Sequence, residues 1–323
     1  MKKTISTLAL SVLLTFNAHA LTVKVGVLAP EGTNWSNNLK KMAKEIREKT
    51  NKKVKIKFYF GGSQGDESDV LRKIRVGQLH GGIFTGKTLG DINGDVRVME
   101  LPFTFFEKRE KALKILENMA PFFNEKFEKN EFKNLGFFEI GNVYFVSQQK
   151  TDSLKSMMGV KIWSWEGDKL VSTMIESMKF VSVPLPLPDV LSSLSTGIIE
   201  AAYAPPLGII SLQWNTKVKY VIDLPISFSV GAFLVNSKQW NKISAEHQKI
   251  INEISSKYVG EVNKGNDKDN QEAIASMKAQ GIQFLKFAPE DMKKTKALRD
   301  DVIKKLKGDL FSAEALKRLE SQL

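Results

Sequence analysis

The sequence predicts an α/β fold of two interleaved lobes, joined by hinge strands and spanned by one long helix. Three observations carry that prediction. Alternating, β-branched segments take turns with segments of helical spacing from Leu21 onward, the βαβα order of an open sheet with helices on its faces. A strand-like run, Gly136–Gln148, is long enough to pass from one lobe into the other, and Phe228–Asn236 returns. A helical pattern then continues from Ser244 to about Lys278, roughly 50 Å at 1.5 Å per residue and longer than one small lobe is wide. With no flexible linker or internal repeat between these crossings, residues 21–143 form a first lobe to which about 228–258 return. Residues 144–227 form a second lobe joined by about 270–323, and 244–278 span both.

The elements follow in order. Leu21–Leu28 (LTVKVGVL) alternates and opens the first sheet. Ala29–Ser36 reads as a loop with an exposed Trp35, and Asn37–Lys49 as a helix carrying Leu39, Met42, Ala43 and Ile46 at helical spacing. Val54–Phe60 is a second alternating strand, followed by a glycine-rich loop, Gly61–Glu67, and a helix over Ser68–Val76. The loop is no phosphate site. It lacks the lysine and Ser/Thr pair of a Walker loop, and Asp66 and Glu67 would repel a phosphate while serving as ordinary helix-start residues. Leu79–Thr85 is a short buried strand, Arg109–Phe127 a helix and Gly136–Gln148 the crossing strand. Further on come a helix at Lys169–Ser177, strands at Phe180–Val183 and Gly197–Tyr203, and helices at Val190–Thr196 and about Leu207–Trp214. Val218–Ile222 and Gln283–Phe287 are strands, and Pro289–Leu323 is helical.

The N-terminus stands apart. Lys2 and Lys3 precede an apolar run, Ile5–Phe16, and Ala18-His19-Ala20 supplies a small-x-small site, the pattern of a secretory signal peptide over residues 1–20, cut after Ala20. Loss of Lys2 and Lys3 takes the formal net charge of +12 to +10. Basic residues are spread along the helices with acidic ones between them, and no arginine–aromatic cluster marks a nucleic-acid site. The chain has no cysteine, which removes disulfides, a lipid-anchored cysteine and thiolate metal sites. An exported chain of 323 residues needs no disulfides to hold a core.

Catalysis finds little support. Only His80 and His247 remain in the mature chain, on different elements. No HExxH or comparable metal cluster exists, and no Gly-x-Ser-x-Gly elbow. No metal, cofactor or enzymatic activity is expected. A cleft that closes on a ligand between two lobes fits the pattern better. Met158–Asp168 is the stretch that stands out: a short strand with Trp163 and Trp165 on one face, running into a Gly167-Asp168 turn and a helix. The two indoles suit either core packing or a large flat ligand surface near a helix start.

Taken together, these patterns resemble the solute receptors of tripartite ATP-independent periplasmic (TRAP) transporters, the DctP-type family, over essentially the whole mature chain. Gly61–Glu67 through Val76-Gly77-Gln78-Leu79 looks like that family's glycine loop, acidic pair and Gly-x-Leu helix end. Met158-Gly159-Val160-Lys161-Ile162 is similar to its Gly-Leu-Lys-Ile strand. Val183–Leu185 with Leu194–Glu200 resembles its proline-led helix and Thr-Gly-Val-Val-Asp segment, and Phe233–Trp240 the strand before its long helix. The resemblance implies a periplasmic-binding-protein-like fold and a periplasmic receptor, and a monomer is expected because no long exposed apolar stripe stands out. Such a receptor delivers a small-molecule ligand to the integral membrane permease subunits of a secondary transporter. An ATP-driven importer or a sensor kinase are the alternative partners.

The departures bear on the ligand. The family's arginine after Gly-Leu-Lys-Ile, which pairs with a ligand carboxylate, is here Trp163. A second family arginine falls at Val143, a frequent asparagine at Ala204 before Pro205, and a wall position at Leu187. A buried carboxylate without such donors is costly, whereas apolar surface gains roughly 25 cal/mol per Å² on burial. The expected ligand is therefore large and mostly apolar or uncharged. Its expected contacts are Trp35, Val143, Tyr144, Trp163, Trp165, Leu187, Tyr203, Ala204 and Trp214, with Glu67 and Thr85 orienting a polar group. An arginine entering from elsewhere, Arg97 or Arg72, would instead admit an organic acid. Replacing Trp163 by arginine is expected to create carboxylate affinity.

Overall fold

Leu21–Val27 (β1) buries Val23, Val25 and Val27, the inward set of an alternating strand, and pairs in parallel with Val54–Tyr59 (β2) and Gly81–Thr85 (β3). The computed structural model describes residues 20–106 and 108–323. The expected signal peptide, apart from Ala20, lies outside the described residues. The remaining strands are Phe132–Ser147 (β4), Lys161–Trp165 (β5), Val181–Leu185 (β6), Ala201–Ala204 (β7), Tyr220–Ile222 (β8), Ser227–Asn236 (β9) and Gln283–Leu285 (β10). Their order is β2-β1-β3-β9-β4-β7-β5-β6, with β8 on β4 and β10 on β8.

The two halves of this sheet meet on one strand. Between Phe132 and Val143, β4 runs antiparallel to β9. From Tyr144 to Ser147 it pairs with β7 instead. The parallel set β1, β2 and β3 thus belongs to one half and the parallel set β5, β6 and β7 to the other, with β4 and β9 passing between them as the hinge strands. A bulge at Glu139–Gly141, with Gly141 at φ 122, bends β4 just before it changes partner. This is the two-lobed α/β architecture expected from the sequence.

The Ala245–Ala279 helix spans both halves. Ser244 caps it by accepting from the His247 amide. Its first half packs Ile251, Ile254, Val259 and Val262 into the core of β1, β2 and the Asn34–Lys49 helix; Met277 packs with Trp163, Val190 and Trp214 in the other lobe. Gly260 and Gly265 do not break it. At Gly265 a Cβ would stand 2.5 Å from the Asn34 Nδ2, so the glycine lets the two helices approach. Asn263 and Asn266 on this helix donate to the Phe137, Glu139 and Ile140 carbonyls of β4 at 2.8–3.0 Å, which fastens the helix to the bulged strand.

Several local expectations change. Trp35 is not an exposed loop residue: Thr33 accepts from the Ser36 amide and starts the helix at Asn34, and the indole is buried. The crossing strand starts at Phe132 rather than Gly136. Gly86–Ile92 and Gly94–Glu100 are helical turns whose glycines masked their periodicity; Leu89, Val96 and Val98 anchor them in the core. Gly197 is a left-handed cap at φ 74, so β7 begins only at Ala201. The C-terminal segment is three helices, Pro289–Met292, Thr295–Leu306 and Ala313–Glu320. The last of them buries Ala315, Leu316 and Leu319 in the core shared with Val96 and Phe123, and the Ser312 amide at its start donates to Asp95.

Candidate ligand-binding cleft

Two adjoining cavities of about 170 and 180 Å³ open where the sheet halves meet, sharing Leu28, Thr85, Ile140, Leu187, Pro205, Gly208 and Leu212 as a common wall. The outer one is held by the first turns of two helices. Trp35, in the first turn after the Thr33 cap, lies 4.6 Å from the Phe138 ring and donates from Nε1 to Asn266 Oδ1 at 3.1 Å. Glu67, just after the Asp66 cap of the Glu67–Arg75 helix, is only 2% exposed. Its Oε1 accepts from the Thr85 amide at 2.9 Å and its Oε2 from the Thr85 hydroxyl at 3.2 Å. Burial, opposed by the Thr85 amide, pushes the Glu67 carboxyl up to about 8, so near neutral pH it is mostly protonated and adds little charge to the outer cavity.

The inner cavity is walled by rings. Trp163 stacks on Tyr203 at 4.8 Å and meets Trp214 edge-on at 5.4 Å and Trp165 at 5.7 Å, geometries that aromatic quadrupoles favour. Its Nε1 donates to the Leu185 carbonyl at 2.9 Å. The Tyr203 hydroxyl accepts from the Trp165 amide at 3.2 Å, and burial pushes that phenol well above its ordinary range. Trp165 reaches across the cleft, its Nε1 2.8 Å from Asp66 Oδ2.

Charge enters the inner cavity through Arg97, 3% exposed. One terminal nitrogen lies 2.8 Å from Glu100 Oε2, the other 2.8 and 3.0 Å from the two Asp168 oxygens. Against the pull of burial, Asp168 and Glu100 hold the guanidinium more basic than usual. Burial pushes the Glu100 carboxyl up, with Arg97 opposing. Glu100 Oε1 in turn accepts from the Ser229 hydroxyl and the Val230 amide of β9. Lys87 also lines the cavity, its Nζ bound to the Ser68 hydroxyl and to Asp91 at 2.7 and 2.9 Å. Each cation of the lining thus already has a carboxylate partner.

The structure brings Trp35, Glu67, Thr85, Val143, Trp163, Trp165, Leu187, Tyr203, Ala204 and Trp214 to the walls of these cavities. Tyr144, one residue past Val143 on an alternating strand, lines neither cavity and packs against the cluster that holds Trp163, Trp165 and Trp214. The Lys87, Arg97, Glu100 and Asp168 set was missed as a cluster. Asp168 read only as a turn residue, and nothing in sequence placed it beside a turn some seventy residues earlier. Among the described residues no group of His, Cys, Asp and Glu could hold a metal, and no helix is long and apolar enough to cross a membrane.

The model of the bacterial extracellular solute-binding protein family 7, DctP, matches residues 25–309. The chain belongs to that family. The family is one of solute-binding proteins, not of enzymes. An uncharacterized protein of Haemophilus influenzae is 27% identical over 216 residues, 67% of this chain and 65% of the relative; the chain thus matches a little under two thirds of that relative's length. Two solved TRAP periplasmic solute-binding proteins share the fold of this family 7 member. One, from Desulfovibrio salexigens with bound orotic acid, has TM-score 0.85 at 18% identity and covers 94% of this chain and 98% of its own. The other, from Haemophilus influenzae with bound L-gulonate, has TM-score 0.85 at 21% identity and covers 94% and 99%.

Proposed function

We propose that this family 7 protein is the periplasmic receptor of a TRAP-type secondary transporter. It captures an uncharged and largely apolar ligand between its lobes and passes it to the membrane permease subunits. Family membership and the two-lobed fold support the receptor role. The ligand class rests on one observation: the cleft's own guanidinium, Arg97, has both terminal nitrogens engaged by Glu100 and Asp168, and the resemblance drawn from sequence, which sets Trp163 at the family's arginine position, points the same way. A ligand carboxylate entering at Arg97 would face two carboxylates and would have to displace one. An apolar ring gains from burial against Trp163, Tyr203 and Trp214 instead. Each of the adjoining cavities, of about 170 and 180 Å³, has room for a single ring, since a cavity of about 150 Å³ already takes benzene.

A second reading has one observation in its favour. The related receptors are solved with acids, and Arg97 does line the inner cavity. Native mass spectrometry of the exported protein, with titration calorimetry against orotate and L-gulonate, separates the two. An uncharged, apolar co-purified species and no measurable heat with either acid is the expected result. Micromolar binding of an acid by the wild type would sink the ligand class and leave the receptor role standing.

A further inference from the structure

The Arg97–Asp168 pair joins the two halves of the sheet. Arg97 belongs to the first half: its turn, Gly94–Glu100, is tied to β9 through Glu100, which accepts from Ser229 and Val230. Asp168 belongs to the second: it follows β5 and caps the Lys169–Ser177 helix, its Oδ1 accepting from the Val171 amide at 3.1 Å. Both carboxylate oxygens lie within 3.0 Å of one guanidinium nitrogen, and the two side chains are 4% and 6% exposed. A second direct bond crosses the same gap, from Trp165 Nε1 to Asp66. The carboxylate on Arg97 is thus supplied by the chain itself.

We infer that Asp168 is a built-in counter-carboxylate, occupying the Arg97 guanidinium as an acid ligand would, so that it sets the cleft against acids and latches the lobes together without ligand. The inference rests on the reading of this cleft as the ligand site. Three features of the geometry carry it. The carboxylate is fixed by its own helix cap, so it is presented to Arg97 without reorganisation. The pair is desolvated, where a charge–charge interaction is strong and a second anion is repelled strongly. The contact exists only when the halves are together, so it stabilises the closed state over the open one by itself. An incoming acid must therefore displace the internal carboxylate, and its apparent affinity falls by the population of the displaced state.

Asp168→Asn tests this. The amide oxygen can still accept from Val171, so the cap survives while the charge is lost, and Asp168→Ser offers a second capping variant. With orotate and L-gulonate as probes, calorimetry on the full exported chain is expected to show binding at least about tenfold tighter in Asp168→Asn than in the wild type. Small-angle scattering is expected to show a larger radius of gyration for ligand-free Asp168→Asn than for ligand-free wild type. Unchanged acid affinity in both variants, each shown folded by circular dichroism, overturns the specificity role; equal radii overturn the latch. Acid binding by the wild type would defeat the proposed ligand class, and the ratio of variant to wild type would still decide whether Asp168 holds that affinity down.

Discussion

Glu67 shows how far a single side chain can be read. Its place after Gly65 read as an ordinary helix start, and only the family resemblance marked it, with Thr85, as a polar wall residue; both line the outer cavity. Its protonation was not legible, because that depends on burial by residues distant in sequence. A carboxyl raised from 4.5 to about 8 binds more protons folded than unfolded between those values, so stability falls as pH rises through that window and levels off above it. Glu67→Gln removes the dependence. Thermal melts from pH 4 to 9 should show the wild type losing ground to the variant up to about pH 8, the gap then staying constant; parallel curves would mean an ionised Glu67. Trp163 is the opposite case. Alternation put its indole on one face with Trp165 and the resemblance turned that face to the cleft, but the ring is 2% exposed, with Nε1 already bonded. Arginine there would bury a guanidinium among rings with no free carboxylate, so the expected gain of acid binding gives way to a loss of about 3–5 kcal/mol in stability. Urea titration checks it: a wild-type midpoint together with new acid binding would restore the simpler view.

The long helix was legible at the level of the element because its apolar residues repeat over many turns, enough to outweigh Gly260 and Gly265. What it does along its polar face was not. Asn263, Asn266 and Asn270 recur at three- and four-residue spacing, which puts them on one face; without the partner strand such residues read as solvated. In the folded protein Asn266 alone serves the Trp35 indole and the Glu139 and Ile140 carbonyls, while Asn270 accepts from the Leu207 amide. The cleft wall and the bulged hinge strand are thus fastened by the same amide. Asn266→Ala takes the acceptor from the buried Trp35 indole N–H and a donor from the Glu139 carbonyl, while Ile140 keeps Asn270 at 3.4 Å, a cost of about 1–3 kcal/mol for each group left unsatisfied. Chemical denaturation should show a lower midpoint with an unchanged slope, and an unchanged midpoint would mean that water replaces the amide. Gly86–Ile92 and Gly94–Glu100 went unseen for a related reason: they are short, glycine-interrupted turns held by tertiary burial rather than by propensity.

At the scale of the whole molecule the architecture was read from chain crossings: a strand too long for one lobe, a returning strand and a helix longer than either lobe. These are lengths, and lengths survive errors of a few residues at element ends. The closed arrangement of the cleft is a matter of pairings such as Arg97 with Asp168, which join residues 71 apart and leave no local trace. Between these two levels lies the hinge, where β4 changes partner at Val143 and Tyr144 two residues after Gly141. Gly141 holds φ 122, and a Cβ there would stand 2.9 Å from the Asn270 Nδ2, so a side chain meets both backbone strain and the amide that braces Leu207. Gly141→Ala is expected to cost about 1–3 kcal/mol. Because Gly141 lines neither cavity, its effect on ligand capture must come through the relative placing of the lobes. Denaturation midpoints paired with scattering of the ligand-free protein decide the point: a lower midpoint with a changed radius locates the hinge at the bulge. A lower midpoint with an unchanged radius confines the effect to local strain and moves the hinge elsewhere along β4 and β9.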